Sequence, residues 1–310
     1  MRRLALLRVV RVLVFGAGAI GSLLAGHLSL GHDVTIVGRK PHVDAVLRQG
    51  LRITGLTNRV AWPSATTDVP KDDFDVVFVT TKSYDTANAV EALRAFWRRS
   101  TFVTLQNGLG NAERIAEHAD RVLAGTTSHG VTFVAPGEIH HAGVGDVTIG
   151  PWKATTVDDA ERLAGALTAS GLPALAISDV RRELWAKVVV NAAINPLTAV
   201  LREPNGVLVD HDDLQSLLAA VAREAVAAAN AAGVELSGDE LAKRSADVAA
   251  KTAENRSSML QDVERGRRTE IDAITGELLG VASRTGLDLP YLRILDALVR
   301  GLERARIPAS

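Results

Sequence analysis

The residues Gly16-Ala17-Gly18-Ala19-Ile20-Gly21 stand between a β-rich apolar run, Arg11–Phe15, and a helical segment, Ala19–Leu30, that Gly31 closes. A strand that passes through G-x-G-x-x-G directly into a helix has few folds open to it. The first glycine permits the tight turn and the second lets a pyrophosphate approach the backbone. The third lets helix and strand pack closely. The free N–H groups of the helix N-terminus then face the phosphates. The motif alone is weak, and its bland alternative is a glycine-rich turn without a ligand. Its place in the first β-α-β unit is what makes it a dinucleotide site.

The rest of the first half keeps the alternation. Val34–Val37 reads as a second strand and Asp75–Thr80 as a third, after a loop with Pro70 and Asp72. A helix from Thr86 to Trp97 leads to another strand, Thr101–Leu105. Such alternation specifies a parallel α/β sheet. From Val122 to Gly150 the chain is Gly-rich and β-branched, with a turn at Pro136-Gly137, and reads as hairpin-like strands extending that sheet. A helix over Val157–Ala169 and a strand over Pro173–Ile177 follow. Beyond Asp179 the strands stop. Ala-rich helices are expected over Glu183–Val200, Asp212–Ala232, Gly238–Arg265, Thr269–Thr285 and Pro290–Arg304, punctuated by Gly233, Gly266 and Gly286. The expected fold class is α/β: an N-terminal Rossmann-type dinucleotide-binding domain over residues 1–178, then an all-helical C-terminal domain over 179–310.

Composition narrows the function. The chain has 310 residues, 47% of them apolar, and a formal net charge of -1. It is neither a disordered chain nor a polyanion binder, so no nucleic-acid partner is expected. The absence of Cys removes disulfides, thiolate metal sites and cysteine nucleophiles and fits a cytoplasmic protein. The N-terminus superficially resembles a signal peptide, but Arg8 and Arg11 interrupt it and the glycine turn follows directly. The first eight or so residues read as an extension before the first strand. Charged residues break each apolar stretch before about 18 positions, so no membrane span is expected. The Ala-rich helices fit a monomer or a homodimer.

The strand ends carry further candidates. Val37-Gly38-Arg39-Lys40 has a base where an NAD site usually has an acid. An arginine can bind a ribose 2′-phosphate bidentately, which argues for NADP(H). Its alternative is a solvated loop arginine, and Asp44 comes too late to take the acid's role. Lys82 ends the third strand, where ligands bind in open α/β sheets, and reads equally as a surface lysine. Asn107, beside Gly108 at the next strand end, offers both a donor and an acceptor, or simply forms a turn.

In the second half, Lys187, Asn191 and Asn195 interrupt an apolar run from Leu184 to Leu197. Each step of four advances about 40° beyond a full helical turn, so the three form one narrow polar stripe. A buried ammonium is costly unless compensated, so the stripe marks a polar site. The alternative is a snorkelling lysine with two amides serving buried backbone. Pro196 is expected to kink this helix. Ser258 and Glu270 could face the same place, with Ser257, Asp262 and Asp272 as rivals. His129, His140 and His141 lie in the Gly-rich strands without ligand spacing and read as structural or solvated, with no metal site.

Several stretches together carry a family resemblance. They are G-A-G-A-I-G at 16–21, Asn107-Gly108, E-L-W-A-K-V-V-V-N-A-A-I-N-P-L-T-A at 183–199, P-N-G at 204–206, E-N-R-S-S-M-L-Q-D-V at 254–263 and R-R-T-E-I-D at 267–272. Over about Arg11 to Pro290 the chain resembles the ketopantoate reductases (2-dehydropantoate 2-reductases). The later blocks are far more specific than the glycine motif. The resemblance implies NADPH-dependent reduction of ketopantoate to (R)-pantoate for pantothenate and coenzyme A synthesis. It implies that Lys187 is the catalytic lysine and Glu270 the acid that hydrogen-bonds the substrate hydroxyl. Asn107, Asn191, Asn195 and Ser258 match substrate- and cofactor-facing positions, and Arg39 and Lys82 match NADP(H) positions. Gln106 is a departure, since some members of that family carry His there. Two alternatives stay open: a reductase of another small 2-keto acid, and a non-catalytic NADP(H)-binding sensor.

Overall fold

The computed structural model describes residues 9–306, and the expected N-terminal extension lies outside the described residues. The chain divides into two compact units. One runs to Gln106 and resumes over Asn111–Val180; the other combines Asn107–Gly110 with the chain from Arg181 onward.

The strands of the first unit are β1 (Arg11–Phe15), β2 (Asp33–Val37), β3 (Leu51–Gly55), β4 (Arg59–Ala61), β5 (Ser64–Thr66) and β6 (Val76–Val79). They continue with β7 (Thr101–Thr104), β8 (Arg121–Thr127), β9 (Gly130–Ala135), β10 (Glu138–Gly143), β11 (Val147–Lys153) and β12 (Ala174–Ala176). Its helices are α1 (Ala19–Leu28), α2 (Lys40–Gln49), α3 (Thr86–Ala92), α4 (Asn111–Ala116) and α5 (Val157–Ala169). Eight strands form one sheet in the order β12-β11-β8-β7-β6-β1-β2-β5. All its pairs are parallel except β8 with β11. The order reverses at β1, which pairs with β2 on one side and β6 on the other. That is the switch point at which doubly wound sheets bind ligands.

Strand alternation gives this sheet two buried faces. Val12, Val14, Phe78 and Val103 join Leu23, Leu24 and Leu28 of α1 and Leu163 and Leu167 of α5 in one core. Leu13, Val77, Val79 and Phe102 join Val90 of α3 and Ile115 of α4 in the other. Burial on both sides is why these strands are continuous apolar runs.

The expected strands between Val122 and Gly150 need one correction. Only β8 and β11 extend the main sheet. The β9–β10 hairpin, turned at Gly137, instead forms a second sheet of order β4-β3-β10-β9. Its partner β3 lies far upstream and pairs parallel with β10. Local composition shows a hairpin but not the distant strand that recruits it. The expected helix Thr86–Trp97 is also shorter, with α3 ending at Ala92 and a 3-10 turn following at Arg94–Phe96.

The regular elements of the second unit, among the described residues, are helices: α6 (Val180–Leu201), α7 (Val207–Asp210), α8 (Asp212–Ala231), α9 (Gly238–Lys251), α10 (Ser258–Glu264), α11 (Thr275–Thr285) and α12 (Pro290–Arg306). The expected helix Gly238–Arg265 is two helices. The N–H groups of Asn205 and Gly206 take the carbonyls of Asn255 and Ala253, at 2.9 and 3.0 Å, and hold the intervening turn open. The helix expected from Thr269 starts only at Thr275, after a 3-10 turn at Ile271–Ala273. Helix α6 runs unbroken through Pro196. By length and composition α6 could cross a membrane, contrary to expectation, but 78% of its apolar window is buried inside the protein, as in a core helix.

Candidate functional site

The first cluster of candidates lies at the C-terminal ends of β1, β2 and β6. Gly16 follows β1 with φ 116°, a conformation that disfavours any side chain. A Cβ there would lie 2.7 Å from the Thr80 carbonyl carbon. The Thr80 hydroxyl closes the turn by donating to the Gly16 carbonyl at 2.8 Å. A Cβ on Gly21 would run into that same carbonyl, so Gly21 sets the packing of α1 on β1. Gly18 differs: a Cβ there meets nothing within 4 Å. It caps α1, whose first turn carries neither an acid nor a side-chain cap. A helix N-terminus with free N–H groups behind an open glycine face fits a dinucleotide pyrophosphate. Ala17, Ala19 and Ile20 complete the turn, each only partly buried.

Arg39 is exposed one residue beyond Gly38 and caps α2. Asp44, the only acid on α2, is paired with Lys40 at 3.0 Å. Lys82 follows β6 and caps the 3-10 turn Ser83–Asp85. Gln106 is buried. Its amide donates to the Thr81 carbonyl at 2.8 Å and the Thr86 hydroxyl at 2.9 Å, and its carbonyl accepts from Thr104 at 3.0 Å. Those bonds fix the strand end that precedes Asn107.

The second cluster lies in the helical unit. From Leu184 to Ala199 every residue of α6 is buried except Lys187 and Asn191, which are half-buried. The stripe is therefore where this core helix opens. No side-chain hydrogen bond joins Asn191 or Asn195 to another described residue. Removal from water pulls the Lys187 ammonium down from 10.5 to about 8, against the opposing pull of Glu270 and then Glu183.

Glu270 is itself buried at 7% exposure and caps the 3-10 turn Ile271–Ala273. The preceding Thr269 anchors it, donating its N–H to Glu303 at 2.6 Å and accepting from Ile271 N–H at 3.2 Å. Asn107 reaches the same carboxylate, with Nδ2 3.4 Å from Glu270 Oε2. The Asn107 loop is clamped to that turn: Leu109 N–H donates to the Ala273 carbonyl at 2.8 Å. Gly108, at φ 87°, lets the backbones meet, since its Cβ would lie 2.6 Å from that oxygen. Lys187, Glu270 and Asn107 thus form one charged and hydrogen-bonded group.

Ser257 and Ser258 separate clearly. The Ser257 hydroxyl caps α10, accepting from Leu260 N–H at 3.1 Å, and also accepts from Thr198 of α6 at 2.8 Å. Ser258 is the exposed first residue of α10. Asp272 is bound by Arg268 and Arg300 at 2.8 and 2.6 Å, which lower its proton affinity below that of an ordinary carboxylate. The residue that periodicity reading overlooked is Glu183. It lies four before Lys187 and extends the stripe by a turn, and Arg244 of α9 donates to it at 3.2 Å.

The histidines of the first unit make their own network. His129 Nδ1 and His141 Nε2 are 3.1 Å apart, and His141 Nδ1 lies 2.9 Å from the Thr57 hydroxyl. That hydroxyl is 3.3 Å from His27 Nε2, while His27 Nδ1 donates to the Ser170 carbonyl at 2.9 Å. His140 is exposed and contacts Thr54.

A doubly wound sheet with an open glycine turn, joined to a helical unit carrying a lysine–carboxylate group, defines a two-domain nicotinamide-dependent oxidoreductase. Sequence models of ketopantoate reductase PanE/ApbA match residues 12–154 and, for its C-terminal part, 179–303, and the chain belongs to this family. It is 40% identical to a 2-dehydropantoate 2-reductase of Archaeoglobus fulgidus, over 96% of this chain and 99% of that one. A PanE/ApbA family ketopantoate reductase from Ralstonia eutropha JMP134 shares the structure at TM-score 0.88 and 32% identity, covering 96% and 99%. D-mandelate dehydrogenase with NADH and anilino(oxo)acetate superposes at TM-score 0.90, covering 95% of this chain and 98% of that one; at 24% identity it speaks to the fold alone.

Proposed function

We propose that the protein reduces the C2 ketone of ketopantoate to (R)-pantoate with NADPH, in the cytoplasm, as part of pantothenate and coenzyme A synthesis. The observation that carries this reading is the meeting of Lys187, Glu270 and Asn107 in a chain matched by the reductase family over both halves. The Gly16–Gly21 turn would hold the pyrophosphate, and Arg39 and Lys82 would take the 2′-phosphate side of the cofactor. The reduced nicotinamide supplies the hydride.

Lys187, as ammonium, stabilises negative charge on the ketone oxygen and delivers the proton that makes the hydroxyl. Positioned acid catalysis of this kind contributes roughly 10²–10⁴-fold. A proton affinity near 8 leaves Lys187 charged at neutral pH yet able to part with its proton. Glu270 accepts from the substrate hydroxyl and holds the ammonium in place. Asn107 fixes Glu270 through its amide, and Asn191, Asn195 and Ser258 bind the substrate's polar groups. Holding the ketone in one orientation is itself a large part of the acceleration. The partner is a small molecule, with neither nucleic acid nor membrane involved.

The test is NADPH consumption with ketopantoate, pyruvate and 2-oxoisovalerate, and NADH in place of NADPH. Turnover confined to ketopantoate and NADPH is expected. Preference for another 2-keto acid would reassign the substrate. Tight NADPH binding with no turnover on any of them would favour a sensor.

A further inference from the structure

Glu183, Lys187, Asn191 and Asn195 are spaced four apart, so the stripe on α6 begins with a carboxylate. A glutamate one turn before a lysine is the favourable orientation for such a pair. Here the pair lies on a largely buried helix, where water screens charge less than at a surface. Glu183 is 26% exposed, and Arg244, 45% exposed, donates to it from α9 at 3.2 Å. Arg244 is thus bonded to Glu183, which stands one helical turn before Lys187 and, like Glu270, acts on its charge. The catalytic reading uses Lys187 and Glu270 and leaves Glu183 and Arg244 without a part.

We propose that Glu183 is a positioning residue that keeps Lys187 in its ammonium form across the working pH range, and that Arg244 sets how much of the Glu183 charge the lysine receives. This rests on the assignment of Lys187 as proton donor. The physical logic is ordinary electrostatics. A nearby carboxylate favours the charged form of the amine, and a guanidinium bound to that carboxylate offsets it. Glu183 and Glu270 both favour the ammonium, consistent with the opposing pulls on Lys187 noted above. With two carboxylates, the lysine does not depend wholly on Glu270, one of whose oxygens also accepts from Asn107.

The experiment is the pH profile of kcat/KM for ketopantoate in wild type, Glu183→Gln, Glu183→Asp, Arg244→Gln and Lys187→Ala. In Glu183→Gln the basic limb is expected to move to lower pH, with kcat/KM about fivefold below wild type at pH 8 and convergence near pH 6, as for a tenfold weaker proton affinity. Arg244→Gln is expected to move the limb the other way, and Glu183→Asp to restore it. A general loss of packing would not move the limb in opposite directions in two variants. If Lys187→Ala is inactive but neither Glu183→Gln nor Arg244→Gln moves the limb, or both move it the same way, the proposal is overturned and Lys187 keeps its role. If Lys187→Ala retains normal turnover, the proton-donor assignment falls and takes this proposal with it.

Discussion

The amide of Asn107 donates to the carboxylate of Glu270 across 163 residues of sequence, at 3.4 Å. Through it the loop after β7 touches the turn before α11. Replacing Asn107 with Ala removes one bond to a buried charge, of the kind worth about 1.5–3 kcal/mol. The expected result is a ten- to hundredfold loss in kcat/KM, roughly what that energy converts to. Steady-state kinetics beside a thermal melt checks it. Wild-type kcat/KM in a folded variant would remove Asn107 from the site.

Lys187→Ala is expected to lose most of kcat, by roughly 10²–10⁴-fold, while still binding NADPH. The wild-type profile follows from the same residue. With Lys187 as the proposed proton donor its acid form is the active one, so activity is expected to fall as pH rises through about 8. Initial rates across pH and NADPH fluorescence titration test the two parts separately.

Arg39→Ala discriminates between cofactors. If Arg39 holds the 2′-phosphate as proposed, its loss is expected to weaken NADPH binding by about ten- to hundredfold and to leave NADH unchanged. Equal loss for both would return Arg39 to the status of a solvated loop residue.

The glycines of the turn predict a dissociation between folding and binding. Gly21→Ala drives a methyl into the Gly16 carbonyl and is expected to lower the melting temperature markedly. Gly18→Ala enters open space, so the melt stays near wild type while NADPH affinity drops. Thermal melts with and without NADPH separate the two.

His27 predicts acid sensitivity. Burial lowers its proton affinity from 6.5 to about 4, partly offset by the Ser170 carbonyl. The unfolded chain therefore takes up a proton that the folded chain refuses. Stability from His27 is complete above pH 6.5 and is lost as pH falls from 6.5 towards about 4. At about 1.4 kcal/mol per pH unit the loss is about 3 kcal/mol. Denaturant unfolding of wild type and His27→Gln across that window tests it: the variant should show a shallower dependence.

What could be read from the sequence followed how local the causes are. The glycine turn and the Lys187 stripe are short-range patterns, and the residues around them suffice to specify strand, turn and helix. Helix α5 spans the expected Val157–Ala169, and its start has a local cause, since Thr156 and Asp159 form a capping box within four residues. The pairing of β3 with β10 was not legible, since neither strand carries any mark of its partner. Nor was the break between α9 and α10, which hydrogen bonds from Asn205 and Gly206 impose from outside. Glu183 was legible by spacing but masked by its place among the charged residues that open α6. The link from Asn107 to Glu270 needed the folded chain.

The grouping of Asn107–Gly110 with the second unit bears on dissection of the protein. A gene fragment starting at Arg181 would encode every helix of that unit from α7 on, yet leave out the tetrapeptide whose Leu109 N–H satisfies Ala273. The polypeptide enters the unit once in passing before entering it for good, so no single cut yields two complete pieces. Recombining halves from two relatives at residue 180 would pair one parent's Asn107 with the other parent's Glu270, and such chimaeras would be compatible only when those two segments had been inherited together.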